Sequence, residues 1–112
     1  MAITPKRFVA GSQLTTSAAT YYTAPVTAKA RIDACALTNT SGGAVTATMH
    51  LVASGGTASA SNRVLSARSI AAGATLVVPG AIGQWLEAGG TLQALASSGT
   101  SITLVASGVE YA

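Results

Sequence analysis

Ala44-Val45-Thr46-Ala47-Thr48-Met49-His50-Leu51-Val52 alternates apolar and polar side chains along almost its whole length. A period of two puts Val45, Ala47, Met49 and Leu51 on one face and Thr46, Thr48 and His50 on the other, the pattern of a half-buried β-strand. Two later stretches repeat it. In Thr91–Ser97, Leu92, Ala94 and Ala96 share a face; in Ser101–Val109, Ile102, Leu104 and Ala106 stand opposite Thr103, Val105 and Ser107.

Around these runs stand Ser41-Gly42-Gly43, Ser54-Gly55-Gly56, Ala72-Gly73, Pro79-Gly80 and Ala88-Gly89-Gly90, all turn-forming sequences. Strands are expected near residues 6–9, 19–24, 29–39, 44–53, 63–69, 74–78, 83–86, 91–97 and 101–111. Ala58–Ala72 is alanine-rich, but its serines, Asn62 and the flanking glycines oppose a long helix. Short strands with corners roughly every 8–12 residues predict an all-β chain, an antiparallel β-sandwich of Ig-like or jelly-roll-like type. Residues 1–25 supply an N-terminal arm and the first strands, and residues 26–112 the sandwich core, one domain overall. Ser54–Asn62, small and polar, is the expected long mobile loop.

Composition then bounds what such a sandwich can do. Of 112 residues 49% are hydrophobic, but alanine alone makes up about a fifth of the chain and aromatics only 4%. Stabilisation scales with apolar area at roughly 25 cal/mol per Å², so alanine contributes little. The expected large core residues are Phe8, Ile32, Leu37, Val45, Met49, Leu51, Leu65, Leu76, Trp85, Leu92, Leu95, Ile102, Leu104 and Val109. That is thin for a solitary domain and points to a homo-oligomer, dimer or trimer, or to burial against other subunits. Only 8% of residues are charged, against about 25% in ordinary soluble proteins. Such a surface of Ser, Thr, Ala and Gly suits a protein whose faces are covered.

The net charge of +3 arises from six basic residues against three acids. Lys6, Arg7, Lys29, Arg31, Arg63 and Arg68 form no dense run and carry no interleaved aromatics, so no specific nucleic-acid partner is expected. The start of the chain has no apolar secretory stretch, and no segment is apolar enough for a membrane helix, so a cytosolic setting until assembly is expected. Lone Cys35 lies in an alternating apolar run and reads as a buried, inert small hydrophobe. Asn39-Thr40-Ser41 fits a glycosylation sequon but, beside Gly42-Gly43, reads as a turn.

Catalysis needs a titratable group beside a nucleophile, a metal or a second such group. With one histidine, one cysteine and three carboxylates the chain offers few combinations. His50 on the polar side of its strand is expected to be solvated or hydrogen-bonded; a triad would have to join it to Asp33. Glycosidase chemistry would require two of Asp33, Glu87 and Glu110 in one cleft. No Gly-x-Ser-x-Gly elbow, zinc spacing, calcium loop or phosphate-binding glycine motif is present. The chain therefore reads as non-enzymatic, without cofactor, metal or small-molecule substrate.

Candidate contact residues are Lys6, Arg7, Phe8, Trp85 and Tyr111. Thr4–Phe8 reads either as an arm laid on a neighbour with Phe8 as anchor, or as an ordinary edge strand. Trp85 either plugs the core or anchors an interface, where tryptophan concentrates binding energy. Leu51–Gly55 recurs as Leu104–Gly108, both Leu-Val-Ala-Ser-Gly, marking either two equivalent strand ends or a coincidence of biased composition.

The run Lys29–Val52, with Ser66–Val78 and Leu86–Gly90, resembles small virion proteins of tailed bacteriophages. The shared layout is strand, Asn-Thr-Ser turn, strand ending in Leu-Val, glycine-rich loop, Ala-Ala-Gly turn, strand, Leu-Glu-Ala-Gly and two closing strands, spanning most of residues 26–110. The resemblance implies a β-sandwich that binds capsid or tail structural proteins in the virion, first as a capsid decoration (cement) protein and second as a tail or head-fibre accessory. It transfers no functional residue. From another class, a carbohydrate-binding or adhesion sandwich would use exposed aromatics, for which Tyr21, Tyr22, Trp85 and Tyr111 are the candidates.

Overall fold

A computed structural model describes residues 3–112. The strands are β1 (Ile3–Gln13), β2 (Ala19–Thr23), β3 (Lys29–Asn39), β4 (Val45–Val52), β5 (Arg63–Ile70), β6 (Thr75–Val77), β7 (Trp85–Leu86), β8 (Thr91–Ala96) and β9 (Ile102–Tyr111), with one 3₁₀ turn at Ala60–Asn62. One sheet has the order β1-β9-β3-β6, with β7 also on β3; the other runs β2-β8-β4-β5. Every pairing is antiparallel.

The order is informative once β6 and β7 are taken as two segments of one strand lying along β3. First then pairs with last, second with second-to-last, third with third-to-last, and the two middle strands pair with each other. A long hairpin ribbon rolled up in this way is the double Greek key of a jelly roll. Of the two sandwich types the sequence left open, the pairing realises the jelly roll.

Between the sheets, Ile32, Cys35 and Leu37 of β3 and Leu104 and Ala106 of β9 meet Val45, Ala47 and Met49 of β4 and Leu92, Ala94 and Ala96 of β8, all buried. Fully burying each leucine, isoleucine or methionine contributes roughly 1.5–3 kcal/mol; the alanines between them let the sheets approach. Near the end of β9 the inward residue is Gly108, and there Phe8 and Tyr22 stack with centroids 4.1 Å apart and planes 20° apart. The Tyr22 hydroxyl donates to Glu110, which also pairs with Lys6 at 3.4 Å. This contact ties β2 of one sheet to β9 and β1 of the other.

Several expectations are corrected here. β1 extends far beyond residues 6–9, because Pro5 lies in an edge strand, where its missing N–H breaks no ladder. Residues 3–25 carry the first strands, one in each sheet: β1 pairs with β9 along its length, β2 pairs with β8, and Leu14 is fully buried. Met1, the first residue of the expected arm, and Ala2 lie outside the described residues. Loop 54–62 folds back over β4 and is pinned there. His50 Nδ1 lies 3.0 Å from the Ser59 carbonyl oxygen and 2.9 Å from Asn62 Oδ1. Asn62 Oδ1 accepts from Ser59 N–H and its Nδ2 donates to the Thr57 carbonyl, which fixes the amide orientation. Both neighbours of Nδ1 are thus acceptors, so Nδ1 carries the proton. His50 is hydrogen-bonded, as expected, but buried rather than solvated.

Trp85 is not a core plug: β7 turns it outward, 47% exposed, and buries Leu86 instead. Leu95 and Val109 are likewise only partly buried. The two Leu-Val-Ala-Ser-Gly copies are not equivalent. Val52 is buried and Gly55 turns the chain at φ 78°, whereas Val105 points outward and Gly108 sits within β9.

Candidate interaction face and aromatic groove

The outer face of the β1-β9-β3-β6 sheet carries the three longest strands of the molecule. Register places Ala10, Val105, Ala36 and Val77 side by side across all four strands. The next row is hydroxylic: Thr103, Thr38 and Thr75, with Thr38 and Thr75 hydroxyls 3.0 Å apart. Val77 and Val105 are 56% and 43% exposed. Neither row contains a charge; Arg7 and Asp33 begin beyond them. On an isolated sheet these positions would carry charged or longer polar side chains that discourage pairing with other molecules.

At one end of the same sheet the character changes. Register brings Trp85 beside Arg31, and Tyr111 beside Lys29. The Trp85 and Tyr111 rings sit 5.2 Å apart and tilted by 46°. The Arg31 guanidinium lies 5.8 Å from each ring centroid, within cation–π range. Asp33 accepts from Arg31 Nε at 2.8 Å, and that bond raises the guanidinium pKa further above its ordinary value. Beside the rings opens a groove of about 490 Å³, lined by Val26, Ala28, Lys29, Glu87 and Ala88 with the two aromatics. At its rim Lys29 and Glu87 form an exposed ion pair at 3.3 Å.

Of the residues expected to make contacts, Trp85 and Tyr111 come together here. Phe8 does not: a register shift between Arg7 and Val9 turns both Phe8 and Val9 inward, and Phe8 is a core residue. Arg7 is exposed on β1, and Lys6 is engaged with Glu110. Tyr22 belongs to the core stack; burial, then its bond to Glu110, pushes its hydroxyl well above the ordinary tyrosine range. Tyr21 packs against the core and bonds Gln13 and Thr15 through its hydroxyl. Tyr22 is stacked and buried, and Tyr21 is partly buried.

The groups weighed for catalysis are dispersed. His50 lies under its loop on one sheet, Asp33 on the outer face of the other. Each carboxylate has its own cation: Asp33 with Arg31, Glu87 with Lys29, Glu110 with Lys6. Among the described residues no cluster of His, Cys, Asp or Glu is arranged to hold a metal. Cys35 is buried 3.7 Å from the Met49 sulfur, and burial pushes its thiol up to about 11. Asn39 is fully buried, its amide donating to the Gly43 and Ile70 carbonyls and accepting from Ser41, so the Asn-Thr-Ser motif is a structural turn.

The sequence reading missed Val77, Ala10, Ala36 and Arg31. One signal was present: Val105 is an apolar residue at an outward position between Thr103 and Ser107. No protein-family model, curated protein or solved structure matches the chain.

Proposed function

We propose that the chain is a structural protein of a tailed-phage virion, which docks the outer face of the β1-β9-β3-β6 sheet on other virion subunits. The single observation that carries this reading is the uncharged four-strand row Ala10-Val105-Ala36-Val77 beside its row of threonines. The ten- and eleven-residue strands β1, β9 and β3, with the short β6 and β7 beside them and about 4.8 Å between neighbours, span roughly 600 Å² in projection. Each partner in a standard interface contributes about 800 Å², so the whole face supplies about three-quarters of one partner's share. A chain with 8% charged residues also has little to desolvate there. The resemblance of residues 26–110 to phage virion proteins supplies the setting.

Within that class, capsid decoration ranks first and a tail or fibre accessory second, because a single uncharged sheet face suits repeated docking on a regular lattice. The experiment is co-sedimentation of the purified chain with heads and with tails that lack it. Saturable, stoichiometric binding to heads, with heads gaining resistance to heat, is the expected result. Binding to tails alone would replace decoration by the tail role. Binding to neither would overturn the proposal.

A further inference from the structure

We infer that the groove beside Trp85 binds a neutral pyranose sugar, the ring's apolar face lying on the indole and neighbouring hydroxyls meeting the Lys29–Glu87 pair. The site is separate from the uncharged docking rows, and the inference does not rest on the virion reading.

The volume fits first. A recess of about 490 Å³ lies within the roughly 300–1,000 Å³ of small-molecule sites. Its chemistry is amphipathic in the way a sugar ring is. Val26, Ala28, Ala88 and the two rings form apolar walls, while the rim carries one cation and one anion. The negative face of an aromatic ring attracts polarised C–H groups, and a pyranose presents such a face. Trp85 is 47% exposed and also borders a second small recess with Leu51, Val52 and Ala53. About half of the indole is therefore open to a ligand. Its orientation is set by Tyr111 and by Arg31, itself held by Asp33.

The rim pair explains why the ligand is a neutral polyol. Lys29 only donates and Glu87 only accepts, and their head groups are 3.3 Å apart, close to the spacing of neighbouring ring hydroxyls. One hydroxyl donates to Glu87 while its neighbour accepts from Lys29. With 60% and 71% of their side chains exposed, the pair contributes little to stability and opens readily. One charge of each sign favours neither an anionic nor a cationic ligand. A protein anchor would instead use a desolvated, apolar surround, whereas here the charges line the recess.

Trp85 is the only tryptophan, so selectively excited tryptophan emission reads this site alone. The full chain is titrated with the methyl glycosides of glucose, galactose, mannose and N-acetylglucosamine. At least one should shift or quench the emission saturably, with a dissociation constant of about 1 mM. Lys29→Met and Glu87→Gln should each weaken that binding about tenfold while leaving Tm unchanged, as loss of an exposed polar contact requires. Trp85→Ala should abolish saturation transfer from protein to sugar by NMR. No saturable response to any of the four sugars up to about 100 mM would overturn the inference. So would undiminished binding in the Lys29→Met/Glu87→Gln double variant, or an emission shift that appears only on raising protein concentration, which would make the groove a protein contact.

Discussion

Replacing Gly108 by alanine adds one methyl group at the glycine where a Cβ would meet neighbouring backbone most closely. A Cβ there would fall inside the Arg31 carbonyl oxygen across the β9–β3 ladder and 2.9 Å from Phe8 Cε2. Neither obstacle is the loose end of a side chain. The oxygen belongs to the neighbouring strand, and Phe8 is stacked on Tyr22. Relief requires moving β3 away from β9, tilting the aromatic stack, or both. Overpacking costs about 1–3 kcal/mol, a lost ladder hydrogen bond about 1, and a disturbed aromatic pair about 0.5–1.5. Against this stands the ordinary gain of about 0.4–1 kcal/mol from stiffening the unfolded chain. The net expectation is a loss of about 3 kcal/mol, which at this chain length lowers Tm by at least about 10 °C. Gly43→Ala is the control, since a Cβ there meets nothing within 4 Å. Urea unfolding with both variants makes the comparison: midpoint strongly lowered for Gly108→Ala at unchanged slope, and unchanged or slightly raised for Gly43→Ala. Equal midpoints would refute the reasoning, because they would mean that β9 and β3 do not approach as described.

Tyr22→Phe leaves the ring stack in place but removes the hydroxyl that Glu110 accepts from; urea unfolding should show a loss of about 1–3 kcal/mol, and no loss would mean that the contact contributes nothing in solution. Cys35 titrates from an ordinary 9.0 up to about 11 in the fold. A raised folded value means full stabilisation below about pH 9, lost as pH climbs toward about 11, by up to about 3 kcal/mol. Wild type should therefore fall more steeply over that window than Cys35→Ala, and parallel curves would contradict the burial of the thiol.

Nearly every strand was legible, because a period of two with glycine corners is a local signal. The exceptions share a cause. Phe8 and Val9 both face inward only because β1 bulges against β9, and nothing in Lys6-Arg7-Phe8-Val9 announces a bulge. Trp85 and Leu86 are adjacent and both apolar, so alternation could not say which turns inward; pairing of β7 with β3 decides it. His50 does lie on the face opposite Met49, as its strand pattern requires, but that face is roofed by a loop whose fold depends on Asn62. The groove was the least legible feature. Trp85, Tyr111 and Lys29 are remote in sequence and meet only through the strand order of the jelly roll, which the sequence left undecided between two sandwich types.

The most direct measurement is head binding by two variants that place the same charge on opposite faces. Val105→Asp puts a carboxylate in the middle of the uncharged row, and Thr20→Asp puts one on the outer face of the β2-β8-β4-β5 sheet. Both positions are exposed, so both variants should fold with nearly unchanged Tm. Co-sedimentation should be lost for Val105→Asp and retained for Thr20→Asp. Retention by Val105→Asp, or loss confined to Thr20→Asp, would contradict the assignment of the docking face.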